Sequence, residues 1–257
     1  MIAEKDWQGH SDEIVQCMVE DDISDFTNWL VVRQTMFRVP KKVKFCADAL
    51  EHLQELSDWD RWEKAIAESP VGNPEPYEPY PQSSTNLILQ ANHLSHFLLG
   101  TKCKLENLDT VFEFGAGYGC MCRLIYNLGF NGRYVITDLP ALLALQRYYL
   151  RETTYNRDIE FLSEETDFVK GINGNSLFIA MWSLSETPIA LRERILQAVG
   201  AKYIFLIYQK EHGVFNNAEY FSDFVKKNTN YRWDCFEIPH LVHSKKHYYL
   251  FGERIGK

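Results

Sequence analysis

A chain of 257 residues is long enough for one α/β domain with an appendage and a large core. Its net charge of −8, with no basic run, argues against a nucleic-acid partner. No apolar run approaches the ~20 residues of a membrane span, and the N-terminus is too polar for a signal peptide. Cys17, Cys46, Cys103, Cys120, Cys122 and Cys235 form no C-x-x-C pair and no disulfide-like spacing, so reduced thiols and a cytoplasmic location are expected.

Residues 1–68 read as helices. Ser11-Asp12-Glu13 looks like a cap before Ile14, Val15, Met18 and Val19. A second run carries Phe26, Trp29, Leu30, Met36 and Phe37, limited by Pro40; a third has Cys46, Ala49, Leu50, Leu53 and Leu56. Ser57-Asp58 caps a fourth, with Trp59, Trp62 and Ile66 along one side. Pro70 to Pro81 interleaves prolines with tyrosines, which suits an ordered loop or lid and neither a helix nor a central strand. The next helix has Leu87, Ala91, Leu94 and Leu98 as its apolar stripe, Gly100 as its stop, and Gln90, Asn92, His93 and His96 on its other face. A boundary at 84/85 therefore separates an N-terminal helical region with its lid loop from residues 85–257.

From about 108 onward strands alternate with helices, the rhythm of a parallel, doubly wound sheet. Val111–Phe114 is the first strand, followed by a helix through Met121, Leu124, Ile125 and Leu128 with Gly129 at its end. Arg133–Thr137 ends in Asp138, and Pro140 opens a helix through Leu142, Leu145 and Tyr149. Ile159–Leu162 and Leu177–Met181 are further strands, the latter apolar enough to be buried on both faces. Leu191, Ile195, Leu196 and Val199 mark a helix, Tyr203–Tyr208 a fifth strand, and Tyr220, Phe221, Phe224 and Val225 another helix. Tyr231–Ile238 and Lys246–Phe251 close the chain as a strand pair.

Between the first strand and its helix stands Glu113-Phe114-Gly115-Ala116-Gly117-Tyr118-Gly119. A strand–glycine–helix turn lets a ligand approach the backbone and aims helix N–H groups at it. The dinucleotide spacing G-x-G-x-x-G would need glycine where Cys120 stands, and no G-K-[ST] follows. Glu113 suits the ammonium of an amino-acid moiety and would repel a pyrophosphate. Asp138 suits two ribose hydroxyls in either cofactor class.

The E-x-G-x-G-x-G run resembles motif I of the class I S-adenosylmethionine-dependent methyltransferases, and the terminal hairpin resembles the end of their fold. The likeness covers roughly residues 85–252. It is closest to the sugar O-methyltransferase family, through T-D-L-P-A-L-L-A-L-Q-R-Y-Y-L (137–150), W-S-L-S-E-T-P (182–188) and I-Y-Q-K-E (207–211). It implies an α/β, Rossmann-like class I methyltransferase fold, a seven-stranded and mostly parallel sheet with a C-terminal antiparallel β-hairpin, behind an N-terminal helical region. It also implies S-adenosyl-L-methionine as cofactor, S-adenosyl-L-homocysteine as product, and methyl transfer to a hydroxyl of a glycan, glycoside or nucleotide sugar. Two alternatives stay open: a natural-product small-molecule O- or N-methyltransferase, and a non-catalytic subunit that keeps the fold.

Ligands of open α/β sheets bind beyond the carboxyl ends of the strands. The expected cofactor residues are thus Glu113, Gly115, Ala116, Gly117, Tyr118, Gly119, Asp138, Leu139, Met181 and Trp182. The fourth strand leads into Trp182-Ser183-Leu184-Ser185-Glu186 and lacks the D/N-P-P-Y/F that holds a flat amine of a base. Trp182, Ser185, Tyr208, Gln209 and Asn217 are therefore the expected acceptor residues. A hydroxyl is a poor nucleophile until a base takes its proton. Glu186, His243 and His93 are the candidates, with His212 behind them as a loop residue. His240, His243 and His247 do not share one face of a strand–turn–strand segment, so no metal is expected.

Overall fold

The computed structural model describes residues 2–36, 44–163, 173–239 and 246–256. Phe37, Pro40, His240 and His243 lie outside them.

Helix α1 spans Ile2–Glu20. It begins before the cap read at Ser11, because Trp7, Ser11, Ile14 and Met18 recur at helical spacing and Ser11 falls on the buried side. The second run is broken in two. Asp22 accepts the Ser24 N–H and starts a 3₁₀ turn, Ile23–Asn28, before α2 (Leu30–Met36). Helices α3 (Lys44–Gln54) and α4 (Trp59–Ala65) follow. Asp58 stands at the N-cap of α4, yet its carboxylate takes the Trp62 indole N–H (3.2 Å) and makes no cap hydrogen bond.

The proline- and tyrosine-rich stretch forms a small antiparallel hairpin, Pro76–Tyr77 with Tyr80–Ser84. Just before it, the Gly72 carbonyl takes both the N–H and the hydroxyl of Thr27. Helix α5 (Thr85–Thr101) begins where the Ser84 hydroxyl accepts the Leu87 N–H. It outruns Gly100, ending at Lys102 in a left-handed conformation. Of its expected polar face, Asn92 and His93 are buried and Gln90 and His96 are partly buried.

Seven strands make the main sheet: β1 (Thr110–Phe114), β2 (Arg133–Thr137), β3 (Ile159–Leu162), β4 (Asn173–Met181), β5 (Gly200–Gln209), β6 (Tyr231–Ile238) and β7 (His247–Arg254). Their order is β6-β7-β5-β4-β1-β2-β3. Strands β1 to β5 pair in parallel, whereas β7 runs antiparallel to both β5 and β6. The winding reverses at β1, which has β2 on one side and β4 on the other. This is the seven-stranded, mostly parallel sheet with a terminal hairpin that the sequence implied.

Alternation along the strands divides the core. Val111, Ile136, Ile179, Phe205 and Ile207 face α5, α6 (Cys120–Asn127), α7 (Pro140–Thr153) and the N-terminal helices. Phe112, Val135, Phe178, Ile204 and Leu206 face α8 (Ile189–Ala198) and α9 (Asn217–Lys227). A buried ion pair ties the N-terminal region to the sheet domain. Arg123 of α6 donates to Glu68 at 3.0 Å, with the two side chains 7% and 13% exposed. No helix among the described residues is long and apolar enough to cross a membrane.

Candidate active site

The turn from β1 into α6 puts three glycines at positive φ, each meeting a different surrounding. A Cβ at Gly115 (φ +73°) would lie 2.2 Å from the Ser183 Cβ, and one at Gly119 (φ +98°) 2.9 Å from Leu150. At Gly117 (φ +60°) only Met36 of α2 would be met, its sulfur at 3.5 Å. Two glycines thus let elements pack closely. The third leaves its outer side to one flexible thioether.

Asp138, at the carboxyl end of β2, is held from several directions. It accepts N–H groups from Leu139 (2.8 Å), Ala116 and Gly117, and the Gln146 amide at 2.8 Å. Gln146 is fully buried in α7 and also donates to the Gly117 carbonyl at 2.8 Å, joining acid and loop. Burial pushes the Asp138 carboxyl up to about 7 even though these donors act to lower it.

Glu113 is 2% exposed, and its carboxylate accepts the Tyr134 hydroxyl at 2.7 Å. Burial raises it to about 8; the Tyr134 hydrogen bond opposes this and the nearby Asp138 charge adds to it. Glu113 therefore sits beneath the loop. Tyr118 is also inside, its ring 4.9 Å from Tyr149 and 5.5 Å from Phe26, with its hydroxyl bonded to Asn86.

Across the reversal point, β4 ends at the partly buried Met181, and Trp182 takes a left-handed turn (φ +60°). Its backbone N–H bonds to the Ile207 carbonyl at 2.7 Å, and its indole N–H to His247 Nδ1 at 2.9 Å. A 3₁₀ turn, Ser183–Glu186, follows, pinned to β1 by the Ser183 hydroxyl on the Phe114 carbonyl (2.5 Å).

Glu186 is the centre of this side. One oxygen accepts the Trp7 indole N–H of α1 at 3.0 Å, and the other accepts the Gln209 amide at 3.1 Å. Gln209 also contacts Ser185 Oγ and His212 Nδ1, each at 2.9 Å. His212 stands in a small hairpin (Glu211–His212 with Phe215–Asn216) directly after β5.

Beneath the turn, Arg192 of α8 is fully buried. It donates to the carbonyls of Ser185 (2.9 Å) and Thr187 (3.0 Å) and to Asn217 Oδ1 (2.8 Å), with the Tyr220 ring 4.6 Å away. Desolvation lowers it to about 10. The guanidinium clamps both residues flanking Glu186.

Other expected residues lie elsewhere. Tyr208 points to the second core, stacked between Phe221 and Tyr248. Asn217 is buried under the site, bonded to Arg192 and to the Gln209 carbonyl. His93 is not on an open helix face: it is 1% exposed, bonded to the Tyr249 hydroxyl at 2.6 Å, and burial lowers it to about 3. Among the described residues no three His, Cys, Asp or Glu side chains gather as a metal site. Trp7, Gln146 and Arg192 were not anticipated. Only the position of Gln146, two helical turns past Asp138, could have pointed to its role.

No protein-family description matches the chain, and no curated protein does. Solved structures do. Magnesium protoporphyrin IX methyltransferase from Synechocystis PCC 6803, crystallised with bound S-adenosylmethionine, aligns with a TM-score of 0.50 and 12% identity over 84% of this chain and 100% of that one. A SAM-dependent methyltransferase from Aquifex aeolicus aligns at 0.46 and 16% identity, over 65% of this chain and 89% of that one. An rRNA methylase from Streptococcus thermophilus aligns at 0.48 and 14%, over 64% and 96%. At such identities the first likeness is one of architecture; with the strand order and the glycine turn at the reversal point, it gives this chain the class I methyltransferase fold.

Proposed function

We propose that the protein is an S-adenosylmethionine-dependent O-methyltransferase whose acceptor is a sugar hydroxyl. The observation that carries this reading is the position of Glu186. It is a partly buried carboxylate with one donor on each oxygen, across the strand reversal from the glycine turn and Asp138.

The residues fit the cofactor's chemistry. Asp138 offers a carboxylate at the end of β2, Gly117 leaves room for close approach, and Leu139, Met181 and Trp182 line the same strand ends. Asp138, when ionised, supplies negative potential that favours a cation, whereas Glu113 keeps its proton near neutral pH and adds little. When bound, the cofactor supplies a methyl group on a positively charged sulfur. The chain's own part is to hold the acceptor hydroxyl and take its proton, and we assign that proton to Glu186. The Trp7 indole, which donates to this carboxylate, suits the apolar face of a sugar ring. The net charge of −8 disfavours a polyanionic acceptor.

A second reading, a non-catalytic subunit, draws on Met36 over Gly117 and Trp7 on Glu186, which cover the crevice with side chains. Two measurements test both. Calorimetry with S-adenosylmethionine should show saturable binding; no uptake would favour the scaffold. Incubation with unlabelled cofactor and a panel of rhamnosides, fucosides and hexosides, read by mass, should give a gain of about 14 daltons per methyl transferred. A panel untouched by a protein that binds the cofactor would refute the sugar acceptor.

A further inference from the structure

The Gln209 amide, 4% exposed, sits among Ser185, Glu186 and His212. Its hydrogen bonds fix where protons are. An ionised carboxylate only accepts, so the NH₂ end of Gln209 must face Glu186. The second hydrogen of that NH₂ then points at His212 Nδ1, 2.9 Å away, while the amide oxygen accepts from Ser185. His212 Nδ1 is therefore the bare nitrogen, and the ring proton sits on Nε2.

That bare nitrogen is 3.8 Å from Glu186 Oε1, the same oxygen that Gln209 contacts. A shift of about 1 Å brings the pair into hydrogen-bond reach. The His212 side chain is 25% exposed against 14% for Glu186, so the ring leads from the carboxylate towards solvent.

Methylation of a hydroxyl leaves one proton behind at each turnover. Resting on the assignment of Glu186 above, we propose that His212 is the outlet for that proton, acting through Glu186, with Gln209 setting the tautomer that makes the outlet work. The O–H bond of protonated Glu186 breaks, its electron pair returning to the carboxylate. The lone pair of Nδ1 forms the new N–H bond, and the Nε2 proton passes to water. The new Nδ1–H stays paired with the ionised Glu186 oxygen it came from, and the Gln209 NH₂ goes on facing that carboxylate. Exchange of ring protons with water restores the starting tautomer.

Two experiments decide this, and the first needs no acceptor. Long-range ¹H–¹⁵N NMR of the histidine-labelled protein at neutral pH, with His212 assigned by its disappearance in His212→Ala, should show the Nε2–H tautomer. Gln209→Leu should turn it into a mixture. An Nδ1–H form in the unmodified protein, or no response to Gln209→Leu, overturns the proposal whether or not a sugar is methylated. The second uses an acceptor found on the panel. His212→Ala should lower kcat roughly 10-fold or more with cofactor affinity unchanged by calorimetry, and imidazole in the buffer should restore part of the rate. Unaltered kcat, or loss without rescue, would count against it. If the panel yields no product while the tautomer is as stated, it is the acceptor reading that fails.

Discussion

Asp138 and Glu186 stand on opposite sides of the strand reversal and are held by different means. Asp138 takes three backbone N–H groups and one buried amide. Glu186 takes an indole and an amide, both from side chains, one of them 179 residues away in sequence. Backbone donors survive most substitutions, because every residue but proline carries one. Side-chain donors vanish with a single change. The first side is thus built to stay constant, whereas the second can be retuned residue by residue, as an acceptor site that follows its substrate requires.

Substitutions can break this contrast. Glu186→Gln keeps the shape but removes the proton acceptor; turnover should drop by about 10²–10⁴-fold, with cofactor affinity by calorimetry unaltered. Retained turnover would assign the base elsewhere. On the other side, Gly115→Ala drives a methyl into Ser183 at a positive φ and should destabilise the fold by about 3 kcal/mol or more. Gly117→Ala meets only Met36, so it should cost about 1–2 kcal/mol of stability and act mainly on cofactor affinity. Urea unfolding set beside calorimetry separates the two.

The buried carboxyl of Glu113 sharpens the same contrast through pH. Its folded value of about 8 lies above the ordinary 4.5, so the folded state holds a proton that the unfolded chain has lost. Stability from this group is therefore highest below about pH 4.5 and falls as pH rises towards 8, at up to ~1.4 kcal/mol per unit. Glu113→Gln should flatten that slope; urea midpoints at pH 5 and pH 8 measure it. The smallest change is Trp7→Phe, which removes one donor from Glu186. It should lower kcat/KM by roughly fivefold, about 1 kcal/mol, and leave cofactor affinity as it was. A shift in cofactor affinity instead would place Trp7 on the other side of the crevice.

What could be read from the sequence follows the same division. The glycine turn, Asp138 and the alternating strands are local patterns, in which neighbouring residues carry the signal. The Glu186 network joins α1, the turn after β4, the end of β5 and the hairpin beyond it, and no spacing along the chain brings these together. His212 read as a loop histidine because only folding sets it beside Glu186. The polar face of α5 was misread for a related reason. A helix covered on both sides can bury His93 when a hydroxyl such as that of Tyr249 answers it. Ser11 looked like a cap, yet serine is also tolerated within a helix, and the Trp7–Ile14 spacing decided otherwise.

The Glu68–Arg123 pair has a consequence for anyone shortening the chain. A fragment starting at Thr85 would keep all seven strands but leave a guanidinium stranded in an apolar seam, together with the bare surface that α3 and α4 cover. Such a fragment is expected to come out aggregated or only partly folded. In the whole chain, this partnership should make both regions melt as one transition, with no early step for the leading helices.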